Sequence, residues 1–133
     1  MIKLDVKYGL PFCTVKLSYK GKSISIGNIL LDTGSGGTVF KMDIVDKIDI
    51  TIEDDDIIET ISGIGGAEFV YKKNVDSIML GELVLENFKI EVGVMDYGFD
   101  INGIIGMGFL KKVGAIIDLE EMKVIKRKKQ RSH

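Results

Sequence analysis

Several residue types on which enzymes often depend are scarce in this chain of 133 residues. It has one histidine, His133 at the last position, together with one cysteine, one proline and no tryptophan. Ser-His-Asp and Cys-His triads need a fixed imidazole, and zinc sites need several histidines or cysteines. We therefore expect no metal site and no cofactor, and the chemistry that remains is mostly that of carboxylates.

Disulfide bonds and membrane spans are also missing from the pattern. Cys13 has no partner and lies in an apolar strand-like segment, so we interpret it as a small core side chain. No apolar run approaches about 18 residues, and Met1 to Lys7 alternates apolar and charged residues, unlike a signal peptide. These features predict one soluble domain in a reducing compartment, the cytoplasm, with no membrane contact.

Charge is divided unevenly along the chain. Residues 1–122 hold all twenty acidic residues against twelve basic ones, a net charge of −8, whereas 123–133 hold six basic residues and no acidic ones, a net charge of +6. A basic segment can bind nucleic acid or an acidic partner, but no aromatic residue is interleaved here to stack on bases. We therefore interpret 123–133 as a basic C-terminal strand end and solvated tail, and nucleic-acid attachment through this segment is the less favoured alternative.

Alternation of apolar and polar residues predicts β-strands along most of the chain. A hairpin is expected over 13–26 and a short buried strand at 29–31, and the spacing of apolar residues predicts an amphipathic helix over 40–48. One helical turn is expected at 109–112. Further strands are predicted at 59–61, 68–71, 75–80, 83–85, 88–95, 115–119 and 122–125. The chain is therefore predicted to be all-β with one or two short helices.

Three acidic places outside the main motif receive structural interpretations. The run of acidic residues at 53–56 lacks the glycine and the ligand spacing of an EF-hand loop, so we predict a solvated loop. Asp100 lies near Gly103 but has no threonine or serine beside it, which indicates a loop. Asp118 lies in a strand-like run before a turn, and we interpret it as structural.

The most specific signal is the segment Leu30-Leu31-Asp32-Thr33-Gly34-Ser35. Asp-Thr-Gly alone would occur by chance in on the order of a few per cent of chains of this length. Here the carboxylate follows a buried strand and precedes glycines, which permit a tight turn and close approach of a substrate to the backbone. That setting makes Asp32 the strongest candidate for a catalytic residue.

Together with two later segments, this motif resembles the retropepsin-like aspartic proteases, the single-lobe relatives of pepsin and of the retroviral proteases. One segment is glycine-rich and resembles the flap of that family, and the other, Ile104-Ile105-Gly106, resembles its hydrophobic-glycine motif. The resemblance covers roughly 10–125 and implies a single-lobe acid-protease domain over 1–122 with a closed, barrel-like β fold. The flap residues would be Ile61, Ser62, Gly63, Ile64, Gly65 and Gly66.

The resemblance also implies roles for the four residues of the motif. Asp32 would be the catalytic carboxylate, Thr33 would hold two catalytic loops together across a dimer, and Gly34 would place its backbone near the substrate. Ser35 would form a hydrogen bond with the aspartate. Because hydrolysis needs two carboxylates and the chain has one Asp-Thr-Gly, the implied enzyme is a homodimeric endopeptidase that acts on peptide or protein substrates through apolar subsites.

Two departures from the family pattern bear on this interpretation. Met107-Gly108 stand where retroviral proteases usually continue with arginine and then asparagine or aspartate, so we expect a dimer that is built differently. Phe69 and Tyr71 follow the tip of the flap and do not match the flap aromatic residue of pepsin-like enzymes. The alternative function is a catalytically silent peptide- or protein-binding module with the same fold, against which the intact motif argues.

Overall fold

The computed structural model describes residues 1–63 and 66–128. Ile64 and Gly65 of the expected flap, and residues 129–133 of the basic tail, lie outside the described residues. Over the described part of the chain the protein is mostly β, with two short α-helices, which confirms the predicted fold class. In the same part, no helix is long and apolar enough to cross a membrane.

The elements follow one another along the chain with short connections. Helix α1 spans Met42–Val45 and is followed by a 3₁₀ turn, Asp46–Ile48, and helix α2 spans Met107–Val113. The strands are β1 Ile2–Lys3, β2 Asp5–Lys7, β3 Leu10–Tyr19, β4 Lys22–Leu31, β5 Val39–Lys41, β6 Ile58–Gly63, β7 Gly66–Leu80, β8 Leu83–Gly93, β9 Gly103–Ile105, β10 Ala115–Asp118 and β11 Lys123–Lys126.

Eight strands form the main sheet in the order β2-β3-β4-β9-β5-β8-β7-β6. Strand β3 also pairs with β7, where Leu17 lies opposite Ile78, so six strands close into a barrel-like ring. A second sheet has the order β1-β11-β10, and in it Val124 pairs with both Ile2 and Ile117. The beginning of the basic segment 123–133 is therefore a central strand of a folded sheet.

The core divides into a large cluster inside the ring and a smaller one beside the Asp32 loop. Cys13, Val15 and Leu17 alternate into the large cluster, as the period of two predicts. Burial raises the pKa of the Cys13 thiol to about 12, which suits an inert core side chain. The smaller cluster includes Leu30 and Ile104 and lies below the loop that follows β4; its other members are Phe12, Val39, Val70, Met95 and Ile101.

The helix predicted over 40–48 is shorter in the structure. Phe40 belongs to β5, where it pairs with Val92 of β8 and Gly103 of β9 and is fully buried. These long-range pairings override the local helical spacing, so only Met42–Val45 is α-helical. Three predicted breaks are also absent, because β4, β7 and β8 each run continuously through two of the predicted strand segments.

The acidic run at 53–56 is a loop, as predicted, but two of its four carboxylates form ion pairs with Lys73. The ammonium of Lys73, on β7, is 2.7 Å from Glu53 Oε1 and 2.8 Å from Asp56 Oδ2. Lys73 is only 6% exposed, and a buried charge needs such partners. Burial lowers the pKa of Lys73, and the hydrogen bonds to Asp56 and Glu53 raise it by more.

This ion-pair cluster leads us to expect a loss of stability in acid. The hydrogen bonds from Lys73 lower the pKa of Glu53 and of Asp56. A carboxyl group whose pKa is lower in the folded state stabilises the fold above its unfolded pKa, and this contribution is lost as pH falls through the folded pKa. The free energy of unfolding by urea should therefore fall between about pH 6 and pH 3, and Lys73→Met should make that fall shallower.

The control for this experiment is Lys16→Met, which removes an exposed lysine that forms no ion pair among the described residues. In this variant the free energy of unfolding should fall with pH as steeply as it does in the wild type. Equal slopes in the wild type and Lys73→Met would show that the cluster does not control acid stability.

Candidate active site

Two segments far apart in the sequence meet where β4 ends. Strand β4 runs parallel to β9, with Leu31 opposite Ile105. The backbone amide of Asp32 continues this ladder by donating to the carbonyl of Ile105 at 2.9 Å. The catalytic-loop motif and the hydrophobic-glycine motif of the sequence are therefore neighbours in the fold, and Asp32 is the first residue beyond the paired strands.

The carboxylate of Asp32 is fixed by the turn that follows it. Its Oδ1 accepts a hydrogen bond from the amide of Gly34 at 2.9 Å, and the amide of Ser35 donates to the Asp32 carbonyl at 3.1 Å. A Cβ atom at position 34 would lie 3.2 Å from the same Oδ1, which is a tight contact. Glycine at this position therefore lets the backbone approach the carboxylate closely.

The hydroxyl of Ser35 has a backbone partner in the single chain. It donates to the carbonyl of Gly37 at 3.0 Å, whereas the resemblance implied a bond to the Asp32 carboxylate. The loop turns back over 35–37, so this carbonyl lies beside the hydroxyl, while the Gly34 amide donates to Oδ1 of the carboxylate. Thr33, the residue expected to bridge two loops, is exposed.

The hydrophobic-glycine motif and α2 support the loop from below. The amide of Met107 donates to the Ser35 carbonyl at 2.6 Å, and that of Gly108 donates to the Gly36 carbonyl at 3.1 Å. Amides in the first turn of a helix have no acceptor within the helix, so the Asp32 loop provides acceptors here. The Gly106 amide donates to the buried Thr38 hydroxyl at 3.2 Å, a role of Thr38 that no motif in the sequence indicates.

The described part of the expected flap is an antiparallel hairpin. Strands β6 and β7 pair with Ile61 opposite Glu68 and Gly63 opposite Gly66. Ile61, Ser62 and Gly66 face the same cavity as Asp32. The tip residues Ile64 and Gly65 are the two positions of the expected flap that the structure does not describe.

A cavity of about 230 Å³ lies between the Asp32 loop and this hairpin. One part of its wall is apolar, formed by Val39, Ile61 and Ile104. Another part is polar, and it includes three residues that the sequence analysis missed: Glu68, Glu91 and Tyr97. The remaining lining residues are Asp32, Gly34, Ser35, Gly36, Gly37, Ser62 and Gly66.

Glu68, two residues after Gly66 on β7, connects the hairpin to the segment after β8. Its Oε1 accepts a hydrogen bond from the Tyr97 hydroxyl, and its Oε2 accepts one from the Met95 amide at 3.1 Å. Burial raises the pKa of Tyr97, and the hydrogen bond to Glu68 raises it further, so the phenol remains a donor. Glu68 therefore holds the hairpin in place with both of its oxygens.

Glu91 lies on β8 at the side of the cavity and has a different environment. A Cβ atom at position 37 would lie 2.6 Å from its Oε1, so the carboxylate fills the space beside Gly37. Burial raises the pKa of Glu91, whereas Lys72 lowers it. Among the described residues its carboxylate has no hydrogen bond and no ion pair.

The geometry places the Asp32 carboxylate, held by the Gly34 amide, in a cleft between an apolar wall and the β6–β7 hairpin. Within residues 1–63 and 66–128, no group of three or more histidine, cysteine, aspartate or glutamate side chains could hold a metal ion. A carboxylate in such a cleft can accept a proton from water or donate one to a bound group.

Comparison with known proteins identifies a family whose model matches this region of the chain. A family model described as aspartyl protease matches residues 15–109. The matched region covers more than half of the chain and includes the Asp32 loop, the hairpin and Gly106. A search of curated proteins found no match.

Proposed function

Because the chain belongs to the aspartyl protease family, we propose that it is an endopeptidase that hydrolyses peptide bonds through a water molecule activated by Asp32. The observation that carries this proposal is the position of Asp32, fixed by the Gly34 amide and facing a cavity that a hairpin covers. The unpaired Cys13 suits a reducing compartment, so we propose that the enzyme works in the cytoplasm.

Hydrolysis of this kind requires two carboxylates close together. One accepts a proton from the attacking water while the other donates a proton to the carbonyl oxygen of the peptide bond. Two carboxylates at that distance share one proton, because both cannot be ionised together. The second carboxylate would be Asp32 of a second copy, so the active form would be a homodimer with a two-fold axis between the Asp32 loops.

The hairpin would complete the substrate site. An extended peptide between the Asp32 loop and the β6–β7 hairpin could form backbone hydrogen bonds with both. The covering hairpin would also limit access of bulk water to the tetrahedral intermediate. No covalent bond between enzyme and substrate forms in this mechanism, since water is the nucleophile.

The direct test is cleavage of a peptide library, with products identified by mass spectrometry, at high protein concentration over roughly pH 4–7, where a carboxylate pair that shares a proton can work. We expect cuts within peptides and a specific activity that rises with protein concentration as dimers form. Absence of cuts from a chain that ultracentrifugation finds dimeric would contradict the proposal and favour a peptide-binding module.

Thr33→Ala should weaken the dimer more than it weakens the folded monomer. Thr33 is exposed in the single chain, so its loss should cost the monomer little, whereas a hydroxyl that bonds across the dimer contributes about 1 kcal/mol. Two symmetric copies of that bond predict a dimer dissociation constant raised roughly 10- to 30-fold, as measured by sedimentation equilibrium. Thr51→Ala, at another exposed threonine, is the control, and equal constants in the two variants would exclude the bridging role.

A further inference from the structure

We infer that the cavity beside Asp32 binds a lysine or arginine side chain of the substrate, and that Glu91 is the residue that selects it. This inference rests on the proposed function, since it names the class of peptide that the same site would take. It differs from the apolar subsites that the family resemblance implies.

The charge of the cavity supports a cationic ligand. Asp32, Glu68 and Glu91 all line it, and no lysine, arginine or histidine of the described residues does. Opposite charges across an interface favour the matching partner, and like charges exclude the wrong one. A peptide with an acidic side chain at this position should therefore be rejected, and a basic one should be favoured.

Glu91 is the carboxylate that remains available to a ligand. Both oxygens of Glu68 already accept hydrogen bonds, from Tyr97 and from Met95. The carboxylate of Glu91 has no such partner among the described residues, although the side chain is half-buried. Neither oxygen of the carboxylate is fully buried, so a guanidinium or ammonium group in the cavity could reach both and form charge-assisted hydrogen bonds with them.

The shape of the cavity matches the two parts of a basic side chain. Val39, Ile61 and Ile104 provide an apolar wall, and the methylene stem of lysine or arginine packs well on such a surface. Glu91 lies against Gly37, next to the catalytic loop, so the charged end would reach it from the direction of Asp32. An uncharged aliphatic side chain would pack against the apolar wall but would form no ion pair with the Glu91 carboxylate.

Lys72 is the charged neighbour that must be considered as a competing partner. It lies directly opposite Glu91 on the adjacent strand. Its ammonium, however, is 3.1 Å from Glu59 Oε1 on the other side and forms no ion pair with Glu91. Lys72 is therefore engaged by Glu59, and the Glu91 carboxylate still faces the cavity.

The experiment uses binding, so that it does not depend on hydrolysis. Peptides that carry a non-cleavable hydroxyethylene unit in place of the scissile bond would be made in sets of three, with arginine, norleucine or glutamate at one position. Each position near the hydroxyethylene unit would be varied in turn. Dissociation constants at pH 7 would be measured by fluorescence anisotropy for the wild type, Glu91→Gln and Glu86→Gln.

We expect, at one position, arginine to bind about tenfold more tightly than norleucine in the wild type, as a hydrogen-bonded charge pair predicts. Glu91→Gln should reduce that ratio to about threefold or less. Glu86→Gln is the control, because it removes the same charge from the same strand at an exposed residue outside the cavity, and it should keep the ratio.

Two results would overturn the inference: equal binding of arginine and norleucine peptides at every position, or a preference that survives Glu91→Gln. Library cleavage by the same preparations separates this inference from the proposed function. Cleavage without a preference for basic side chains would reject this inference alone. Preferred binding of arginine peptides without any cleavage would reject the hydrolytic function alone. Failure both to bind any peptide and to cleave the library would reject both.

Discussion

Asp32→Asn is expected to reduce peptide hydrolysis by about 10²- to 10⁴-fold. An amide cannot exchange the proton that the carboxylate pair must pass between water and substrate. In a homodimer the substitution removes both members of the pair at once, so the effect should lie at the upper end of that range. The fold should be kept, because asparagine retains an oxygen that can accept the hydrogen bond that Gly34 donates at 2.9 Å.

The measurement is cleavage of the best library peptide by wild type and variant at matched dimer concentration. Circular dichroism and sedimentation of both proteins would verify that fold and assembly are unchanged. Asp54→Asn, at an exposed acidic residue far along the chain from the motif, is the matched control and should cleave at the wild-type rate. Cleavage by Asp32→Asn at a comparable rate would refute the mechanism.

Gly106→Ala is expected to destabilise the protein by about 3 kcal/mol or more. A Cβ atom at position 106 would lie 2.0 Å from the carbonyl oxygen of Gly37 and 2.7 Å from that of Ser35. Both atoms belong to the backbone of the Asp32 loop, so no side chain can rotate away to relieve the clash. The loop would have to move, and the hydrogen bonds that α2 donates to it would be broken.

The free energy of unfolding in urea would measure this loss. Gly36→Ala is the control, because a Cβ atom at position 36 meets no atom within 4 Å and the backbone there is not left-handed. The control should remain within about 1 kcal/mol of the wild type, because a glycine-to-alanine change at a compatible site typically stabilises a protein by about 0.4–1 kcal/mol. Equal stabilities of Gly106→Ala and Gly36→Ala would mean that the loop does not depend on this contact.

The strands and the position of Asp32 could be predicted because their signals are local. Alternation identified the hairpin of β3 and β4, and a buried run before Asp32 identified the strand that presents it. The spacing of Phe40 to later apolar residues is helical and predicts a helix, although the residue lies in β5. Its actual partners, on β8 and β9, lie more than fifty residues away, and no local pattern reveals them.

The polar side of the cavity was not predictable for a related reason. Glu68 and Glu91 alternate with apolar residues in their strands, which is also the pattern of any solvated strand face. Only the pairing of β5 with β8, and the folding of the β6–β7 hairpin over the loop, turn these residues toward Asp32. The chemistry of Asp32 is thus encoded in one short motif, whereas the groups around it depend on the whole topology.

Because β1 pairs with β11 of the same chain, the terminal sheet can form without a second copy of the protein. Because β11 already has a partner on each side within its own chain, the single chain needs no second copy to complete its terminal sheet. A lone copy would then be a folded species that lacks the second carboxylate. For the proposed homodimer, dilution would remove activity reversibly by mass action while the fold persists, so protein abundance would regulate the proposed hydrolysis.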